Sequence, residues 1–322
     1  MAPSSFPFDM SALNVFLAVC ENGSMASAAR SLGITQPAVS QTIADLEART
    51  ATMLFDRRVR PLALTATGTV LRQYASNLVS DMHHIAMRLR EMQTGRVSQL
   101  RIGVVDSLSR AVLVNTSHFM QTRTEHLAVF AGLTESHAEA LLTRQIDFIV
   151  GVDDLEDVAG LERWPLFEEP YLLVCGEDIP PPSTREELKA MCSQYPFIRF
   201  TLRSRSGTEV ERYLRRLQID APLGQEYDLP IGLLAGCQNG GIAISTPLCM
   251  QEAGYVPGQG LCVHPLPAGG IKRRLTLVAR RREFGRLPLD FAQMLRVSLQ
   301  DYTHRVLHHR FAAFSQSMIV LS

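Results

Sequence analysis

Gln36, Pro37, Ser40 and Gln41 lie within one and a half helical turns of each other near the front of this 322-residue chain. A glutamine amide sets a donor beside an acceptor, the pattern that pairs bidentately with adenine or serves other base edges. Ser40 is short enough for a helix to approach a groove closely, and Pro37 can touch a thymine methyl group. Further along, Arg57, Arg58 and Arg60 concentrate guanidinium groups that suit phosphate oxygens or a minor groove. Ser24 and Thr65 add hydroxyls for the same purpose. Plainer roles stand beside these: Ser24 and Thr35 as helix caps, Arg57 and Arg58 as exposed loop groups. Taken together, these side chains make double-stranded DNA the first partner to consider.

The surrounding sequence supplies elements to position them. Leu13, Phe16, Leu17 and Cys20 recur at helical spacing, and Asn22-Gly23 ends that helix. Ser24 caps a second helix in which Ala28, Ala29 and Leu32 are small or apolar enough for close packing. Gly33 makes the turn, Thr35 caps a third helix, and Pro37 falls in its first turn. Val39, Ile43 and Leu46 give that helix a core face, leaving Gln36, Pro37, Ser40 and Gln41 outside. Two short extended pieces around the arginine turn, Leu54 to Thr65, form a wing. Residues 1–66 are thus expected to form a winged helix-turn-helix.

Charge limits how such a head works. Net charge is zero, and residues 1–65 carry as many acids as arginines. Binding must come from a focused arginine cluster, so one head grips weakly and pairing becomes a requirement. Residues 67–96 offer the means. Leu71, Leu78, Ile85 and Met92 repeat every seven residues, with Ala75, Met82 and Leu89 offset by four. This seam predicts a dimerising linker helix through Leu71, Leu78, Met82, Ile85 and Leu89. A helix packed on its own domain is the competing reading.

After Gly95 strands and helices alternate, which signals βαβ units. Strands are expected at 100–105, 127–131, 148–152, 171–175, 197–200, 242–245 and 275–279. The alternation occurs twice, so residues 97–322 should form two α/β lobes: lobe I from 97–168 and 268–322, lobe II from 169–267. Ligands bind such folds at strand C-terminal ends, in the crevice. Ser107, Thr134, Thr201 with Arg203, and Asn239 are the candidates. Helix N-termini beside Ser107 and Ser206, with Arg199, Arg203 and Arg205, favour a small carboxylate. Helix capping and surface arginines explain the same residues more plainly.

The stretch Gly23-Ser24, Ala28-Ala29, Leu32, Thr35-Gln36-Pro37-Ala38-Val39-Ser40, Ile43, Leu46-Glu47 resembles the DNA-binding motif of the LysR-type transcriptional regulators. Leu54-Phe55-Asp56-Arg57, Arg60, Leu64-Thr65 and Gly68 are similar to that family's wing. The resemblance implies a linker helix followed by an effector domain like a periplasmic solute-binding protein. It also implies that Gln36, Pro37 and Ser40 read bases, and that Ser107, Thr134 and Thr201 hold an effector. Many members carry arginine where this chain has Gln41. A homodimer on a two-fold symmetric promoter site is expected, with a homotetramer and RNA polymerase contact as the family's further habits.

Other classes fit less well. His304, His308 and His309 give an HxxxH pair without a third ligand, so a solvated helix face is the better reading and no metal or cofactor is expected. No Walker loop, dinucleotide glycine motif or GxSxG elbow is present, which argues against an enzyme. The six cysteines are scattered and include no CxxC pair. A redox-responsive regulator is therefore an alternative, and a non-regulatory solute-binding module ranks below it. With neither a signal peptide nor an apolar run of membrane length, the expected setting is the cytoplasm.

Overall fold

A computed structural model describes residues 9–56, 62–94, 96–152, 155–222 and 224–321. The chain divides into two compact units between Gly95 and Arg96. In the first, α1 (Met10–Asn22), α2 (Met25–Leu32) and α3 (Gln36–Thr50) precede β1 (Phe55–Asp56), β2 (Ala63–Leu64) and α4 (Ala66–Thr94). Side-chain caps start the three leading helices: Asp9, Ser24 and Thr35 each accept an N–H from the first turn. Gly33 closes α2 at φ 67°, where its N–H reaches the Ala29 and Arg30 carbonyls; a side chain there would strain the helix-to-helix turn.

Leu13, Phe16 and Val19 pack on Ala28 and Ala29, on Val39, Ile43 and Leu46, and on Leu54 and Phe55. Each large side chain buried here contributes about 1.5–3 kcal/mol. Leu32 departs from expectation and lies exposed at the end of α2. The buried Glu47 carboxylate accepts the N–H groups of Leu54 (2.8 Å) and Phe55 (3.3 Å), tying the wing root to α3. The first turns of α4 belong to this core too, since Ala75 is fully buried and Leu71 packs against it.

The second unit holds two sheets. The first is built from β3 (Val97–Val105), β4 (Thr124–Gly132), β5 (Phe148–Gly151), β6 (Leu161–Pro170), β12 (Lys272–Arg280) and β13 (Ile319–Val320), in the order β13-β6-β12-β5-β3-β4. The second is built from β7 (Leu172–Gly176), β8 (Phe197–Phe200), β9 (Gln225–Tyr227), β10 (Ile242–Ser245) and β11 (Leu261–Pro265), in the order β11-β7-β10-β8-β9. Their helices are α5 (Ser109–Met120), α6 (Thr134–Leu142), α7 (Arg185–Gln194), α8 (Arg205–Arg216), α9 (Pro230–Gln238), α10 (Pro247–Glu252) and α11 (Leu287–Tyr302).

The chain passes between the sheets at 170–172 and again at 265–272. The two crossings lie side by side, with Tyr171 N donating to Ile271 O at 2.9 Å. Strands β3, β4 and β5 run parallel, as do β8, β9 and β10, so the C-terminal ends of each set converge. After α11 a π turn over Thr303–Leu307 and a 3-10 turn over Ala312–Ser317 lead into β13, which pairs with the edge of β6. The apolar C-terminal segment thus covers a sheet edge. Among the described residues, no helix is long and apolar enough to cross a membrane.

Candidate functional site

In the first unit α3 presents two faces. Val39, Ile43 and Leu46 are buried, while Gln36, Pro37 and Gln41 are exposed and Ser40 is half-buried. Ser40 donates to the Met25 sulfur at 3.3 Å, which holds its hydroxyl toward α2. The Gln41 amide donates to Asp45 one turn later at 2.7 Å. Ser24 and Thr35 are caps, and Thr65 plays the same part for α4, accepting from Gly68 N at 3.0 Å and donating to Met53 O at 2.7 Å. Their hydroxyls are therefore committed to helix starts. Arg57, Arg58 and Arg60 lie outside the described residues.

The seam on α4 needs correction. Leu71 is half-buried in its own domain, not free for a partner, and the apolar stripe left exposed begins one residue earlier. It runs through Val70, Tyr74, Leu78, Met82 and Ile85. The Leu89 side chain lies outside the described residues, as does that of Met92.

In the second unit, Ser107 follows β3, Thr134 follows β4, and Ser204 to Ser206 follow β8. All three groups border a cleft of about 50 Å³ between the sheets, with Asp106 and Asp228 beside them. Gly207 lets α8 start there, because a Cβ on it would sit 2.2 Å from the Thr201 carbonyl oxygen. Thr134 Oγ1 accepts from Val152 N at 3.4 Å.

Arg273, which the sequence reading missed, is the charged centre of the cleft. It opens β12 where the chain returns from the second sheet, and it is only 3% exposed. Its Nε donates to Glu169 Oε1 at 2.7 Å, Nη1 to Ser206 Oγ at 3.2 Å and Nη2 to Ser107 Oγ at 3.0 Å. Glu169 Oε2 in turn accepts Leu248 N at 2.9 Å, at the start of α10. One guanidinium thus holds a serine from each sheet. A Lys-Arg-Arg run reads as a solvated strand end, which is why it gave no signal.

The other candidates separate. Thr201 Oγ1 donates to Asp228, and Arg203 pairs with the same carboxylate at 3.2 Å while remaining largely exposed. They steady a cleft residue without bordering the cleft. Asn239 does not belong there: it ends α9 and precedes β10, whereas the cleft meets the opposite end of α9 at Pro230. Arg199 is also turned away, bonded to Glu211 (3.4 Å) and the Ala221 carbonyl (2.7 Å). His304 and His308 fall in and just after the π turn with ring centroids 5.0 Å apart. Among the described residues no cluster of three or more metal-ligating side chains forms.

The thiols show little activation. Burial pushes Cys20, Cys175 and Cys192 up to about 11 and Cys237 up to about 12. Cys175 and Cys262 are direct partners across β7 and β11.

Residues 10–69 match the family described as bacterial regulatory helix-turn-helix protein, lysR family, and residues 93–299 match the LysR substrate binding domain. The HTH-type transcriptional regulator CzcR of Bacillus cereus is 31% identical over 141 residues, which are 43% of this chain and 49% of that relative, so the chain spans about half the length of that relative. The HTH-type transcriptional regulator YbhD of Escherichia coli is 24% identical over 85% of this chain and 86% of its own. In fold, the chain is similar to full-length CbnR complexed with its target DNA (TM-score 0.63, 17% identity, 90% of this chain and 100% of that one). A variant of full-length OxyR from Pseudomonas aeruginosa gives a TM-score of 0.64 at 17% identity, over 90% and 94% of the two chains. With both of its domains matched, the chain belongs to the lysR family of bacterial regulatory helix-turn-helix proteins.

Proposed function

We propose that this chain is a sequence-specific DNA-binding transcriptional regulator, controlled by a small carboxylate effector held in the cleft between its two sheets. The exposed N-terminal face of α3 carries the reading. A recognition helix offers its first residues to base edges in the major groove, and Gln36, Pro37 and Gln41 are exposed there. Ser40 permits close approach. Thr35 can cap α3 and still donate its proton to a phosphate, whereas Ser24 and Thr65 would do so by releasing the Ser27 oxygen and the Met53 carbonyl. Arg57, Arg58 and Arg60 supply the charge. CbnR, whose fold is similar, has been crystallised with target DNA.

Selection from random duplexes tests the assignment. Gln36→Ala is expected to relax preference at one base position, at a cost of about 1–3 kcal/mol. Arg57→Ala should weaken every sequence alike and flatten the salt dependence. Equal loss on all sequences for Gln36→Ala would remove its base-reading role.

The effector reading rests on Ser107, Thr134, Ser206 and Arg273 around the cleft, where helix N-termini favour negative charge. Titration with organic acids checks it, and binding that survives Ser107→Ala with Thr134→Ala overturns the site. Dimerisation through α4 supplies a second head for a two-fold symmetric promoter site. Pairing of effector units into a tetramer, contact with RNA polymerase, and action in the cytoplasm complete the proposal.

A redox-responsive regulator is the second reading, favoured by the facing of Cys175 and Cys262. It is opposed by the raised Cys175 thiol, which leaves little thiolate to react. DNA binding lost to hydrogen peroxide and restored by dithiothreitol would reverse that ranking.

A further inference from the structure

We propose that the cleft is built for a small zwitterion, an α-amino acid with a short side chain, with its carboxylate at the Arg273–Ser107 pole and its ammonium at Asp106. The inference rests on the reading of this cleft as an effector site and narrows the chemistry that it selects.

The anionic end has a prepared place. Arg273 already spends donors on Glu169, Ser107 and Ser206. Because the Ser107 oxygen accepts from Arg273, its own proton turns elsewhere, and no described residue accepts it. The neighbouring helices α6 and α9 start without side-chain caps. Their first N–H groups add positive potential at the cleft wall.

The cationic end is what a plain carboxylate lacks. Asp106 borders the cleft, and among the described residues its carboxylate makes no hydrogen bond or ion pair. The other acid of the wall, Asp228, is engaged by Thr201 and Arg203. Burial pushes the Asp106 carboxyl up, against the pull of His137 and with a smaller push from Asp228. An incoming carboxylate alone would meet this acid, which no side chain bonds, as a like charge. An amine alone would meet Arg273. A zwitterion answers both.

Spacing and size agree. Asp106 and Ser107 are consecutive and both line the cleft, as does Arg273, which donates to Ser107. An α-amino acid carries its ammonium and carboxylate on one carbon, so neighbouring poles on one wall suit it. The cleft of about 50 Å³ admits only a handful of heavy atoms, given that one water occupies about 10–15 Å³ by the same measure.

The test is calorimetric titration of the full chain with glycine, L-alanine, acetate, propionate and ethylamine. Glycine or L-alanine is expected to bind at least about tenfold more tightly than the other three probes. Asp106→Asn, nearly isosteric on a part-exposed side chain, should lower amino-acid affinity by about tenfold or more and leave acetate and propionate unchanged or tighter. An unaltered melting temperature verifies the variant's fold, and the wild-type comparison stands without it. Propionate binding as tightly as L-alanine sinks the zwitterion and leaves the carboxylate reading intact. An equal effect of Asp106→Asn on both classes also sinks it. If no probe binds, the zwitterion falls together with the proposed small-carboxylate occupant of the cleft.

Discussion

Asp147 shows how much of this fold hangs on single charged side chains. Its buried carboxylate accepts from Arg101 N (2.8 Å), from the Arg101 guanidinium (3.0 and 3.2 Å) and from Arg280 (3.1 Å). Arg280 also donates to the Leu141 and Ile146 carbonyls, closing the end of the sheet opposite the cleft. Asp147→Ala strips the carboxylate bonds from both arginines and leaves Arg280 with Glu283 as its carboxylate partner, so it should cost about 3 kcal/mol. Urea unfolding followed through the effector unit measures this. His137 gives a pH effect of definite sign. Burial lowers its pKa from 6.5, with the Val104 carbonyl and Asp106 pulling the other way. The folded chain therefore refuses a proton that the unfolded chain takes, and stability falls as pH drops below about 6.5. Melting temperatures between pH 7.5 and 5 should decline less steeply in His137→Gln. His264, lowered by burial as well, retains part of the slope.

Among elements, α4 carries the clearest consequence. Its exposed stripe includes Leu78 at 46%, Met82 at 51% and Ile85 at 55% exposure, more apolar surface than a lone helix profitably shows to water. Leu78→Glu with Ile85→Glu should leave the head folded, because neither side chain enters its core, and shift sedimentation toward the monomer. The heptad pattern revealed this helix but not its register. It cannot tell an apolar residue packed at home, such as Ala75, from one awaiting a partner. Other elements left weaker traces. β6 was invisible because Pro165 and Pro170 interrupt it and its three glutamates break the apolar run. Its pairing with β12 through nine residue pairs is nonlocal, and sequence periodicity does not register it. Ser107 and Thr134 were legible because each follows a strongly apolar strand. Arg273 was not, since its burial arises only where two distant strands cross between the sheets.

For the molecule as a whole, neutrality shapes affinity. A chain of net charge zero gains little from diffuse attraction to DNA, so in the proposed dimer two linked heads would supply by avidity what charge does not. The helix-turn-helix was legible in detail, from the Ser24 and Thr35 caps to the Val39, Ile43 and Leu46 face. The doubled α/β alternation disclosed two lobes, while the crossings that join them had to be seen in three dimensions. The last strand has a consequence of another kind. β13 occupies the outer edge of β6, with Leu321 N donating to Leu166 O at 2.9 Å. Without residues 318–322, β6 would expose a row of unsatisfied backbone groups, a template for strand pairing with other chains. Light scattering should show such a truncated protein self-associating as concentration rises. Because Ile319 pairs with Glu168, the tail's hold on this edge stops one residue short of Glu169, the counter-ion of the cleft arginine.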